Sequence, residues 1–219
     1  MIKTERDKKS IMDIDWGTYC KYVQLDAGLD ERLEVICEIR ELFDTDKSFS
    51  FFSDEDRRYI AGTQGLIQRL RRGNADSGYF GQMSGNGYFA SAIKKNDPQI
   101  SDALDEVPLK GDITKQNFDA FVKKFEKAFK QQMISGASRL LTMKRPDFFV
   151  CINRKNRESL KKDFEFKNIS KSFDSYWEFI QKVHQSEWWK NPTPKTDDEK
   201  IIADARMAFL DSIYYIEKT

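Results

Sequence analysis

The chain has 219 residues, and its 37 basic and 36 acidic side chains leave a formal net charge of +1. No global basic field exists, so a polyanion must be met by a local patch. Seventeen Phe, eight Tyr and four Trp give core material that a disordered chain does not carry. The charged start MIKTERDKKS lacks an apolar h-region and no run of about twenty apolar residues occurs, so a cytoplasmic protein without membrane contact is expected.

Ile14, Trp16, Tyr19 and Val23 are spaced for one helical face. Leu33, Ile36, Ile39 and Leu42 predict a second helix, opened by Asp30 and closed by Asp44 to Asp46. Phe49, Phe51 and Phe52 anchor the loop that follows. Met1 to Phe52 reads as a loosely distinct N-terminal part of one domain spanning the whole chain. Ser53, Glu55 and Asp56 then start a helix carrying Tyr59, Ile60, Leu66, Ile67 and Leu70. Its end is marked by Arg69, Arg71, Arg72 and Gly73.

Residues 74–87, NADSGYFGQMSGNG, are glycine-rich. Met83 is followed by Gly85-Asn-Gly87 and then by Ala90 and Ile93. This pattern resembles the hairpin of helix–hairpin–helix DNA-binding motifs. The resemblance implies that Gly85 and Gly87 let backbone N–H groups approach a phosphate, with the next helix pointing its N-terminus at it. Ala90 and Ile93 would lie on its buried face.

Ile100 to Val107 predicts a short helix and Pro108 to Asp112 a turn. Thr114 caps the clearest helix, reaching to about Met133. Phe118, Phe121, Val122, Phe125 and Phe129 recur on one face of it, with Lys115, Lys123, Lys124, Lys127 and Lys130 mostly outside. The following stretch, Ser135 to Lys162, organises the rest. Gly136, Ala137 and Ser138 keep one helix side small, and Leu140, Leu141 and Met143 are apolar. Pro146 stops that helix at Arg145. Phe148 to Ile152 is a buried run and the one candidate short strand. Asn153-Arg154-Lys155-Asn156-Arg157 then opens a basic helix start.

Ser172 or Asp174 starts a helix with Tyr176, Trp177, Phe179, Ile180 and Val183. Trp188 and Trp189 either stack on a base or pack down to pin the loop. Thr196 with Asp197, Asp198 and Glu199 begins one last helix through Tyr214 and Tyr215. The fold expected is all-α: a single globular multi-helix domain with a glycine-rich hairpin and at most one very short strand.

Recognisable catalytic groupings are few. His184 is the sole histidine, which disfavours a His-rich metal site and most histidine-based triads. Cys20, Cys37 and Cys151 are odd in number and too scattered for zinc, so they read as reduced core residues. Neither a metal nor a cofactor is expected.

Residues 138–153, SRLLTMKRPDFFVCIN, resemble the segment leading to the active aspartate of helix–hairpin–helix DNA glycosylases and their relatives. That resemblance implies a helical DNA-binding fold with a base-sized pocket. Asn153 stands where the aspartate belongs, and an amide cannot ionise. The catalytic candidates are therefore Asp147, as a replacement acid, and Asn153. The whole chain also resembles uncharacterised bacterial proteins of restriction and phage-defence loci. The first expectation is a DNA-binding component of such a system, with partners in a defence complex. Its contacts would come from Arg139, Lys144, Arg145, Arg154, Lys155 and Arg157, helped by Gly85 and Gly87. The alternatives are a glycosylase-like enzyme and a protein–protein adaptor.

Overall fold

The computed structural model describes residues 10–45, 47–65, 79–129 and 131–214. In chain order its helices are α1 (Trp16–Val23), α2 (Leu29–Phe43), α3 (Asp54–Ile60), α4 (Gly87–Lys94), α5 (Pro98–Asp105) and α6 (Lys115–Phe125). They continue as α7 (Ile134–Lys144), α8 (Arg157–Asp163), α9 (Phe173–Val183), α10 (Glu187–Lys190), α11 (Asp197–Asp204) and α12 (Arg206–Tyr214). Among the described residues there is no strand, and the protein is all-helical.

Local chemistry sets most of the helix starts. Asp15, Ser53, Asn86, Asp97, Thr114, Ser172 and Thr196 each accept a first-turn amide at an N-cap. Thr114 and Asn117 complete a reciprocal capping box at α6. Gly28, rather than Asp30, holds the cap position of α2.

Helix α7 is the centre. Its residues Ile134 and Gly136 to Met143 are all buried, and it packs against α2, α3, α5 and α12. A Cβ added at Gly136 would lie 2.7 Å from the Phe89 ring, so this glycine lets α4 and α7 touch. The phenylalanine stripe of α6 does enter the core: Phe118, Phe121 and Phe125 are fully buried, and Val122 and Phe129 partly so. The α-helix stops at Phe125, gives one 3-10 turn and turns extended at Phe129, so it is shorter than its phenylalanine spacing suggests. A single buried cluster runs from Ile11 to Tyr214.

Two expected helices differ in extent. Helix α3 ends after Ile60, where Gly62 takes a φ of +64°. The residues from Leu66 to Gly73 lie outside those described, as do residues 1–9, Asp46, Lys130 and Tyr215. The last helix breaks at Ala205, and the Ala208 amide goes instead to the Pro146 carbonyl at 2.9 Å.

The run Phe148 to Ile152 departs further from expectation: it is buried over its last four residues yet pairs with no strand. Side chains satisfy its backbone. Ser138 Oγ accepts from the Ile152 amide, while Tyr176 Oη donates to Val150 O, Asn156 Nδ2 to Cys151 O and His184 Nε2 to Phe148 O. Buried backbone groups must be paired, and here helices supply the partners.

Candidate nucleic-acid interface

The cations expected to face phosphate divide into an inner and an outer set. Arg139 is inner and buried. Its guanidinium donates to Ile60 O at 2.8 Å, Tyr79 O at 2.6 Å and Tyr59 O at 3.3 Å. Tyr59 and Ile60 are the last residues of α3, so Arg139 covers that helix's open carbonyl end, where a cation complements the dipole. Desolvation pushes its pKa down, yet guanidinium is basic enough to stay charged. Lys144 does the same for α5, donating to Leu104 O at 2.7 Å. Arg145 is buried between Pro108 O and Gly111 O, with a two-pronged ion pair to Asp147 at 2.8 and 2.7 Å. Arg139 and Arg145 are thus corrected from phosphate ligands to internal clamps. One signal for Arg139 was present in its neighbours: residues 136–143 are otherwise small or apolar on all sides, so a cation among them is buried with them.

Asn153 is a turn builder. Its Oδ1 accepts from the amides of Lys155 and Asn156 at 2.7 and 3.1 Å, and Asn156 Oδ1 accepts from the Asn153 amide. Its Nδ2 donates to Asp211 at 2.9 Å, and Asn156 Nδ2 joins the same oxygen at 2.6 Å. Arg32 closes the other side of Asp211 at 3.0 Å and holds Asp26 at 2.6 Å. No local pattern pointed to Asp211 or Arg32, because 55 to 179 residues separate the partners. Asp147 is engaged by Arg145 and so belongs to a different neighbourhood from Asn153.

The outer set stays on the surface. Arg154 and Lys155 are exposed, and they sit in a turn before α8 rather than in its first helical turn. Only Arg157 begins that helix, and Glu158 offsets it at 3.3 Å while also pairing with Lys161. The glycine loop lies beside this turn. A Cβ at Gly81, whose φ is +93°, would meet Cys151 Sγ at 2.7 Å and Asn153 Cβ at 3.3 Å. Gly85 and Gly87 are exposed, and a Cβ at either would meet nothing within 4 Å. Gly87 is the first residue of α4, and Tyr88 beside it is 77% exposed. Phe89, Ala92 and Ile93 form the buried face of α4, with Ala90 only partly covered.

A groove of about 390 Å3 joins these parts. Asn86, Gln131, Ser135, Arg157, Ser170 and Lys171 line it. Among the described residues that line it, two are cations and none is an acid. It contains the starts of both α4 and α7, and no side chain caps α7.

The remaining candidates are structural. Trp188 is buried, donates to Ile11 O and stacks on Tyr19 at 4.2 Å. Trp189 stacks on His184 at 3.9 Å and donates to Asp147 O. Burial pulls His184 down to about 4, so it is neutral at pH 7 and packed. The three cysteines are unbridged, and burial pushes Cys20 and Cys151 up to about 12. Among the described residues, no group of three or more His, Cys, Asp or Glu could hold a metal ion. None of the described helices is long and apolar enough to cross a membrane. Comparisons with protein-family models, curated proteins and solved structures found no match to this chain.

Proposed function

We propose that the protein binds a nucleic-acid backbone on the face formed by the Gly85–Gly87 loop, the start of α7 and the turn at Arg154 to Arg157. The observation that carries this reading is the acid-free groove, where two helix starts meet Arg157 and Lys171. Helix N-termini present unsatisfied N–H groups and positive potential, and phosphate fits both. Exposed Arg154 and Lys155 extend the positive edge, and open space over Gly85 and Gly87 admits a close backbone approach. Tyr88 supplies an exposed ring on which a base can stack. Such interactions read backbone rather than sequence, and duplex DNA is the first probe.

The triple variant Arg154→Gln, Lys155→Gln, Arg157→Gln tests this. Gel shifts should show weaker DNA binding, and the salt dependence should flatten by up to about 0.9 log units per log unit of salt for each phosphate left unneutralised. Folding stability should stay within about 0.5 kcal/mol, since the replaced groups are at the surface. Unchanged affinity and salt slope in the folded triple variant would remove the proposal and leave the adaptor reading. A place in a restriction or phage-defence system rests only on the whole-chain resemblance. Equal phage plating on cells carrying the natural protein or the triple variant would count against it.

A further inference from the structure

Lys144, Arg145 and Asp147 line a second cavity, of about 330 Å3, together with Arg40, Lys110 and Arg206. Its walls also include Asp44 and Asp204, so five cations face three carboxylates. Two of the cations are neutralised locally, Arg145 by Asp147 and Arg40 by Asp204 at 3.4 Å. Among the described residues, Lys144 and Arg206 have only carbonyls as hydrogen-bond partners, Leu104 O for Lys144 and Ala203 O for Arg206. Arg206 lies over the Trp189 ring at 4.8 Å, and its buried Nε–H finds no acceptor among the described residues. Desolvation lowers the pKa of both groups. Half-buried positive charge is costly, and an anion in the cavity offsets that cost for Lys144 and Arg206.

We infer that this cavity binds a small phosphomonoester, its dianionic phosphate held by Arg206, Lys144 and Lys110. Among the lining residues the positive charges outnumber the carboxylates by two, with Asp105 beyond them acting on Lys144, so an anion meets net positive charge. The cavity exceeds a bare phosphate, and Phe43, Leu109 and Pro146 offer apolar wall for an organic body. The site is independent of the Arg154–Arg157 face, so the two proposals stand or fall separately.

The test uses the full chain and titrates inorganic phosphate and a nucleoside 5′-monophosphate by calorimetry, with chloride as the control anion. Saturable binding is expected, tighter for the nucleotide, with a rise in thermal midpoint. Arg206→Gln, and separately Lys110→Ala at an exposed turn position that the fold tolerates, should each weaken binding by roughly tenfold. The triple variant at 154, 155 and 157 should bind both probes normally. A 5′-phosphorylated oligonucleotide preferred over its 5′-hydroxyl form, with that preference abolished by Lys110→Ala, assigns the phosphate to a nucleic-acid end. No such preference, with the free nucleotide still bound, assigns it to a small metabolite. Absence of saturable binding in the millimolar range, or binding unaltered in both cavity variants, overturns the inference.

Discussion

Arg139→Ala is expected to cost about 5 kcal/mol in a denaturant titration, since each buried acceptor left unsatisfied costs about 1–3 kcal/mol. Its guanidinium serves three main-chain carbonyls: those of Ile60, at the end of α3, and Tyr79 lose this donor, while Tyr59 O keeps the Gly62 amide at 3.1 Å. Typical domains hold only about 5–15 kcal/mol in total, so this one truncation consumes a large share. Arg139→Lys should recover only part of the loss, because an ammonium cannot fork across three fixed acceptors. A loss below about 1 kcal/mol in the alanine variant would show that water replaces the guanidinium without strain. In that case the clamp does not anchor the loop.

Asp211→Ala should cost about 3–5 kcal/mol, the range for removing one partner of a buried ion pair. Asp211 is 2% exposed and receives Arg32, Asn153 and Asn156 together. Its removal takes one carboxylate from Arg32, whose pair with Asp26 remains, and frees both amides that shape the 153–156 turn. Asp211→Asn keeps the volume but sets an amide group among three donors, so it should recover little. The pair of measurements also separates stability from binding. Under conditions where Asp211→Ala remains folded, the DNA binding proposed for this face should weaken, because Arg154 and Lys155 lose their fixed turn. Stability within about 1 kcal/mol of the natural protein would mean that Arg32 is sufficiently held elsewhere.

Where a feature depends on neighbours in sequence, it was legible. The α6 phenylalanine stripe, the stop before Pro146 and the caps at Ser53, Thr114 and Thr196 all follow from spacing and side-chain chemistry. What could not be read was which cations turn inward. Lys144 and Arg154 look alike in sequence, each a cation beside further cationic and polar residues. They differ because α5 presents an open carbonyl end to Lys144, and that end lies 40 residues away. The same holds for the Phe148 to Ile152 run. Its apolar, β-branched character argues for a strand, yet α7, α9 and the 153–156 turn reach its main chain first. The groove at Arg157 and Lys171 is likewise invisible from spacing, since it forms only when α4 and α7 meet through Gly136.

That run carries a liability as well. Phe148-Phe-Val-Cys-Ile152 is uncharged, free of proline and glycine, and rich in aromatic or β-branched residues, the composition of segments that self-associate into cross-β stacks. In the native chain its carbonyls at Phe148 and Val150 are occupied by His184, the C-cap of α9, and Tyr176 within it. Loosening α9 alone strips both away and offers unpaired backbone to a second molecule before the rest of the protein has unfolded. If the chain aggregates on heating, detachment of α9 is the expected first step, and a hydrogen-exchange measurement showing α9 losing protection before α7 would check it.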